Sequence, residues 1–294
     1  MHGTRRPTTQ ELDLTRALLP ALPGAALATA QVATHGTFHD VVLVPGHAVV
    51  RIARRTEDAA ALPRRVELLR RLAGANLPFA VPRPLSPVVP YREIGPFADL
   101  AAVALSWVPG APSRPQDGGP RLVGELLRAV GGVDLAAVGD VLDVPHAFLG
   151  RERWAEVLTS EVVPLLDPPW RAEAARRVES ALVLPDVPAT LVHGDLAGSN
   201  IHVENGRVVG VIDWDLAQAF DPAVDAACLG WFGWETLAAA VPPETMRRAR
   251  VWFGTFGLEQ VGVALRRRAD DAELATQLAR AQDWLARTTA LVDS

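Results

Sequence analysis

A chain of 294 residues with 49% hydrophobic content can form one large domain or two modest ones, with ample material for a core. A net charge of −5 argues against a general nucleic-acid binder, and the apolar residues fall in runs too short to cross a bilayer. The single cysteine, Cys228, excludes an intrachain disulfide framework. Cys228 lies in an apolar helical stretch and reads as a buried structural thiol, not a nucleophile. After M-H-G-T-R-R-P come acidic and polar residues without an apolar signal core, so a cytoplasmic protein is expected. The charge is uneven: residues 1–109 carry 12 arginines against eight acids, and residues 110–294 carry 17 against 26. The asymmetry points to an anion on the first part and a neutral or cationic partner on the second; solvated helix faces would look the same.

Taken in order, residues 9–22 place Leu12, Leu14, Leu18, Leu19 and Leu22 near helical spacing, with Thr8 or Thr9 as cap and Gly24 as terminator. From Thr29 the pattern turns strand-like: A-Q-V-A-T-H, then F-H-D-V-V-L-V, then A-V-V-R-I-A after Pro45-Gly46-His47. Short turns between such runs predict an antiparallel sheet. The first turn, His35-Gly36-Thr37, contains a glycine that would let backbone N–H groups approach a phosphate; an ordinary hairpin turn would look the same. Arg51, on the third run, is positioned to clamp phosphate oxygens or to face solvent. His35 and His39 read as solvated.

Residues 58–73 form an amphipathic helix with Leu62, Val66, Leu69 and Leu72 on one face and Glu67 within it, stopping before Pro78. Two β-like segments, 88–91 and 99–108, run into W-V-P-G, where the Pro-Gly turn near residue 110 is read as a hinge. Beyond it, helical periodicity covers 121–138, 150–166, 170–184, 225–240, 243–269 and 271–291. The 191–215 segment is the β-like insertion among them. The order implies an α+β protein: a small antiparallel β lobe over 1–108, then a larger, mainly helical lobe over 109–294.

The chemistry concentrates in 191–225, L-V-H-G-D-L-A-G-S-N-I-H-V-E-N-G-R-V-V-G-V-I-D-W-D-L-A-Q-A-F-D-P-A-V-D. Asn205-Gly206 between two alternating runs is a strong hairpin signal. Asp195 and Asn200 are five apart, the spacing of a kinase catalytic loop, and Asp213 ends the second strand of the hairpin. Phosphoryl transfer needs a carboxylate to orient the attacking hydroxyl and oxygen ligands to hold Mg²⁺. Singly, Asp195 as a loop cap, Asn200 at a turn and Asp213 at a strand end are common; jointly, at this spacing, they point to that chemistry. His202, on a strand between Ile201 and Val203, reads as structural.

H-G-D-L-A-G-S-N, V-I-D-W-D and D-P-A-V-D resemble the aminoglycoside phosphotransferase family, small-molecule kinases with a protein-kinase-like bilobal fold. V-V-R-I-A-R-R, L-P-F-A-V-P-R-P-L and W-V-P-G fall in family order, so the resemblance covers nearly the whole chain. G-T-F-H-D-V-V-L-V and G-T-F-G-L-E-Q are most similar to the family's viomycin and capreomycin phosphotransferases, and R-I-A-R-R to its macrolide phosphotransferases. The resemblance implies Asp195 as catalytic base, Asn200 and Asp213 as magnesium ligands, and His193 and Asp225 as braces of the loop. It also implies that the backbone around Ser106, Trp107 and Val108 meets the nucleotide base.

Three departures stand out. Ala197 replaces a histidine common in the family's loop. The chain has no lysine, which leaves Arg51 as the strand cation. The helix register that should supply its carboxylate partner falls near Arg65, with Glu67 two residues on. Asp215 reads as a supporting carboxylate or as a residue at the mouth of the substrate site. Glu161, Asp215, Glu235 and Glu259, with Trp231 and Trp234, are candidates for the substrate pocket.

The expected activity is an ATP- or GTP-dependent, Mg²⁺-dependent O-phosphotransferase conferring resistance to an antibiotic: a tuberactinomycin peptide or an aminoglycoside first, a macrolide second. A small-molecule metabolite kinase of the same fold and a non-catalytic nucleotide-binding sensor are the alternatives. No nucleic-acid or membrane partner is expected, and the protein should be a monomer or homodimer.

Overall fold

Thr8 and Glu11 set the first helix in a capping box: the Glu11 N–H donates to Thr8 Oγ1 at 3.3 Å and the Thr8 N–H to Glu11 Oε2 at 2.7 Å. The computed structural model describes residues 3–33, 38–91, 100–150 and 153–292. The turn at His35, Gly36 and Thr37, with its glycine for phosphate approach, lies outside the described residues. A two-residue strand, β1 (Thr4–Arg5), precedes helix α1 (Thr9–Leu18). Pro20 disfavours helical backbone at Leu19, so α1 ends there and not at Leu22. Gly24, expected to terminate this helix, instead opens a short one, α2 (Gly24–Leu27), after Pro23.

Strands β2 (Gln31–Ala33), β3 (His39–Val44) and β4 (Ala48–Ala53) follow, then helix α3 (Thr56–Gly74) and strands β5 (Val89–Tyr91) and β6 (Leu100–Ser106). The sheet is antiparallel, in the order β1-β2-β3-β4-β6-β5. Period-two alternation sends Val42, Val44, Val50, Ile52, Ala102 and Ala104 into a core with Leu18, Ala26 and Ala30. His39, Val41 and Arg51 share the opposite face, because Val41 pairs with Arg51 and His39 lies two residues before Val41. Helix α3 packs on β4 and β6 through Leu62, Leu68, Leu69 and Leu72.

Strand β7 (Ala111–Pro112) leads onward, and four more short strands come later: β8 (Thr190–Val192), β9 (Ile201–Glu204), β10 (Arg207–Val211) and β11 (Gln218–Phe220). Strands β9 and β10 form the expected hairpin, with Asn205 and Gly206 both at positive φ, 51° and 72°. Both of its strands pair further: β7 lies against β9, and Ala80 exchanges N–H and C=O bonds with Val209 and Val211 of β10, each at 2.9 Å.

These pairings explain how the chain divides. One compact unit comprises residues 1–113, 136–142 and 199–214; the other comprises 114–135, 143–198 and 215–294. The grouping differs from a single division after residue 108: the hairpin joins the first unit because its hydrogen-bonding partners, β7 and Ala80, lie there.

Helix α4 (Pro120–Gly131) belongs to the second unit, whereas the short α5 (Leu135–Val138) belongs, but for Leu135, to the first. The second unit is mainly helical and continues with α6 (Trp154–Glu156), α7 (Pro168–Leu182), α8 (Ala223–Cys228), α9 (Trp234–Ala238), α10 (Pro243–Arg266) and α11 (Asp271–Val292). Some expected helices are broken. Gly131-Gly132 ends α4, and Gly233, with φ 99°, separates α8 from α9. Residues 157–162 wind as a π-helical turn after α6. Helix α10 packs against α7, α8 and α11. Arg177 ties three of these helices together: fully buried, it donates to Glu173 Oε1 on α7, to the Gly254 carbonyl on α10, and to Thr288 Oγ1 and the Leu285 carbonyl on α11. Strands β8 and β11 form a small antiparallel ladder that sequence periodicity did not reveal for 218–220. Among the described residues, no helix is long and apolar enough to cross a membrane.

Candidate active site

Strand β8 delivers the chain to His193-Gly194-Asp195 by burying Leu191 and Val192. The turn that follows is held by one carboxylate from α8. Asp225 accepts the His193 N–H on Oδ2 at 2.8 Å and the Gly194 N–H on Oδ1 at 2.9 Å. Gly194 has φ +83°, and a Cβ there would stand 2.6 Å from the Leu216 carbonyl oxygen, so the turn requires glycine. The Asp195 N–H donates to His193 Nδ1 at 3.2 Å, which leaves a neutral ring its proton on Nε2.

Asp225 is 2% exposed. Burial pushes its carboxyl up to about 7; the two N–H bonds pull the other way, and the nearby Asp195 charge adds to the rise. Cys228, half-buried, points its thiol at the Gly194 carbonyl. Desolvation, with the Asp225 and Asp195 charges, raises that thiol well above its ordinary range, which fits a structural residue and not a nucleophile.

The hairpin belongs to the other unit and carries two further candidates, Asn200 and Asp213. Asn200, 7% exposed, closes the 3₁₀ turn before β9, and its carbonyl accepts the Ile212 N–H at 2.9 Å. That bond sets Asn200 beside the residue preceding Asp213. Asp213 takes the left-handed conformation, φ 62°, which aspartate tolerates better than most residues. The turn after it is anchored where Trp214 Nε1 donates to the Val211 carbonyl at 3.1 Å. The Asp213 side chain is half exposed and meets Arg51 Nη2 at 3.3 Å. Arg51 Nη2 also donates to His39 Nδ1 at 2.9 Å.

Glu67, considered as the partner of Arg51, has different partners. Its carboxylate accepts from Arg70 at 2.7 and 2.6 Å and from Arg71 at 2.8 Å, because residues three and four apart meet on one helix face. These arginines, Arg70 first, hold the Glu67 carboxyl down at about 2. Arg71 in turn pairs with Asp140. Arg65, at the expected carboxylate register, lies over the Phe38 ring with its guanidinium carbon 5.4 Å from the centroid. His39 is not solvated as expected: it is 2% exposed.

At the end of β6, the Ser106 N–H donates to the Arg83 carbonyl at 2.7 Å and the Trp107 N–H to the His47 carbonyl at 3.4 Å. Ser106 Oγ accepts the Arg83 N–H. Val108 is buried. His202 is buried with Nδ1 at 3.0 Å from the Pro109 carbonyl, a structural placement.

The substrate-pocket candidates are dispersed over several elements of the second unit. Asp215 is buried in the 3₁₀ turn 214–216. Glu161 pairs with Arg266 at 2.8 Å and Arg153 at 3.4 Å. Glu235 and Trp231 are exposed, and Trp234 packs edge-on against Phe253. Glu259 is a core residue: one oxygen accepts Trp154 Nε1 and Thr255 Oγ1, both at 3.0 Å, and desolvation raises its carboxyl to about 7. His146 stacks on Trp154 with centroids 4.8 Å apart, and burial lowers its imidazole to about 4.

Asp221 carried no role in the sequence reading, although it opens the D-P-A-V-D motif. It is buried and accepts from Arg248 at 2.6 and 3.0 Å and from Trp252 Nε1 at 2.7 Å. Its Oδ1 also accepts the Ala223 N–H at 2.9 Å, at the start of the helix that carries Asp225.

Known proteins are similar to this chain in sequence or in fold. Residues 29–261 match the phosphotransferase enzyme family. Viomycin phosphotransferase from Streptomyces vinaceus is 34% identical over 285 residues, 90% of this chain and 96% of that one. The GDP complex of aminoglycoside 2'-phosphotransferase-IIIa superposes with a TM-score of 0.75 at 19% identity, covering 95% of this chain and 99% of that chain. The macrolide 2'-phosphotransferase MphH from Brachybacterium faecium does so with a TM-score of 0.65 at 21% identity, covering 92% and 97%.

Proposed function

The chain belongs to the phosphotransferase enzyme family, and on that premise we propose that it transfers the γ-phosphoryl group of ATP or GTP to a hydroxyl of a cationic antibiotic, of the tuberactinomycin or aminoglycoside class. The observation that carries the reading is the Asp225 carboxylate spanning the His193 and Gly194 N–H groups, which fixes the turn on which Asp195 sits.

Asp195 orients the acceptor hydroxyl and takes its proton on a carboxylate oxygen as the new O–P bond forms and the bond to the departing nucleoside diphosphate breaks. Arg51, anchored on β4, faces the nucleotide phosphates as a planar donor fork. Asn200 and Asp213 offer an amide oxygen and a half-exposed carboxylate, hard oxygen donors suited to magnesium. A bound Mg²⁺ would supply charge neutralisation at the phosphates. The main chain at Ser106, Trp107 and Val108 is assigned to the nucleotide base. Phosphorylation of the hydroxyl would block the drug and so confer resistance.

The substrate class is supported by the 34% identity to viomycin phosphotransferase and by the excess of acids over arginines in residues 110–294, which suits a polycation. A panel of viomycin, kanamycin, a macrolide and metabolite alcohols such as choline tests it, scored by nucleotide consumption and by the mass gain of one phosphate. Viomycin or kanamycin is expected to be modified. Modification of the metabolites alone would replace the antibiotic reading with a metabolite kinase. Asp195→Ala should lower turnover by about 100-fold or more, and retention of most turnover would refute the catalytic assignment.

A further inference from the structure

We propose that His39 positions the phosphate-facing cation Arg51 from the adjacent strand; this rests on the reading of Arg51 as a phosphate ligand. Arg51 Nη2 lies 2.9 Å from His39 Nδ1 and 3.3 Å from Asp213 Oδ1. A guanidinium has donors only, so Nδ1 carries its lone pair, and the imidazole is neutral with its proton on Nε2. The strand register makes the contact a property of the sheet. Val41 stands opposite Arg51, and His39, two residues earlier on the same face, reaches it diagonally. At 2% exposure, the ring is held by its surroundings and presents a fixed acceptor.

The helix carboxylate nearest in sequence register is committed elsewhere, since Glu67 accepts from Arg70 and Arg71. Arg65 lies over Phe38. A neutral acceptor has a consequence that a carboxylate would not: it orients Arg51 without itself cancelling any of the cation's charge. Asp213 holds the same nitrogen from the hairpin, and His39 therefore fixes the guanidinium from the sheet side when Asp213 engages a metal.

The test is the affinity of the full-length protein for ATP and for GTP, titrated calorimetrically with magnesium, which needs no antibiotic. His39→Leu keeps the bulk and removes the acceptor; it should weaken nucleotide binding by about tenfold. His39→Asn, whose amide oxygen can stand where Nδ1 does, should recover most of that loss. In an Arg51→Met background, His39→Leu should have little further effect, because the interaction it removes is already gone. Melting curves identify any variant that fails to fold, and the His39→Asn comparison then carries the test. Binding unchanged in His39→Leu, equal impairment in the Leu and Asn variants, or losses that multiply in the double variant would each overturn the proposal. If Arg51→Met itself binds nucleotide normally, the phosphate reading of Arg51 fails as well. If Arg51→Met is weakened and His39→Leu is not, the positioning role alone fails.

Discussion

Asp225→Asn separates two effects of Asp225 on the fold: the tie it gives the turn that carries Asp195 and the cost of its buried charge. The carboxylate accepts the N–H groups of His193 and Gly194, one on each oxygen. An asparagine amide has one acceptor, so one of those N–H groups would face an NH₂. A buried unsatisfied donor costs about 1–3 kcal/mol. Against this stands the cost of the charge: burial lifts Asp225 from 3.8 to about 7. Between those values the folded protein holds a proton that the unfolded chain has released, so stability falls as pH rises through this window and levels off above about 7. At about 1.4 kcal/mol per unit, the wild type loses about 3 kcal/mol from this group between pH 5 and pH 8, and the variant loses none. Asp225→Asn should therefore be clearly destabilised at pH 5 and close to wild type, or more stable, at pH 8. Urea unfolding at the two pH values, without nucleotide or magnesium, measures the difference. A stability change that is the same at both would refute the argument from burial. Turnover should fall at either pH, since the turn that places Asp195 has lost a tie.

Glu259→Gln should raise the melting temperature at pH 8 and have little effect at pH 5. The amide oxygen keeps the Trp154 and Thr255 donors, and the wild-type carboxyl, raised to about 7, costs the fold up to about 3 kcal/mol once it must ionise. A pH-independent difference would contradict this. Gly194→Ala adds a Cβ 2.6 Å from the Leu216 carbonyl at φ +83°; a loss of more than about 2 kcal/mol in denaturant unfolding, together with loss of turnover, is expected. Arg177→Met removes the buried tie among α7, α10 and α11 and takes one donor each from the Gly254 and Leu285 carbonyls and from Thr288 Oγ1. Unfolding should show a loss of about 3 kcal/mol, and an unchanged protein would mean that packing alone holds these helices.

Much of this molecule is written in local patterns. The Thr8 and Glu11 capping box, the alternation of β3 and β4, the Asn205-Gly206 turn and the spacing of Asp195, Asn200 and Asp213 depend on neighbours a few residues apart, and each can be read directly. Pro20 and Gly131-Gly132 were equally local signals that helical periodicity overrode, and they end helices earlier than the apolar spacing suggests.

Other features depend on what meets what across the chain. That Glu67 turns to Arg70 and Arg71, that Arg51 finds His39 on the next strand and Asp213 on a hairpin 162 residues away, and that Glu259 sinks against Trp154 are settled by packing. So is the placement of the hairpin in the first unit, which follows from β7 and Ala80. Sequence alone determined which carboxylate, amide and guanidinium side chains the chain carries and in what order they come. The tertiary structure decided which of them are partnered, buried or shifted in proton affinity, because desolvation and hydrogen-bond geometry arise only where distant segments meet.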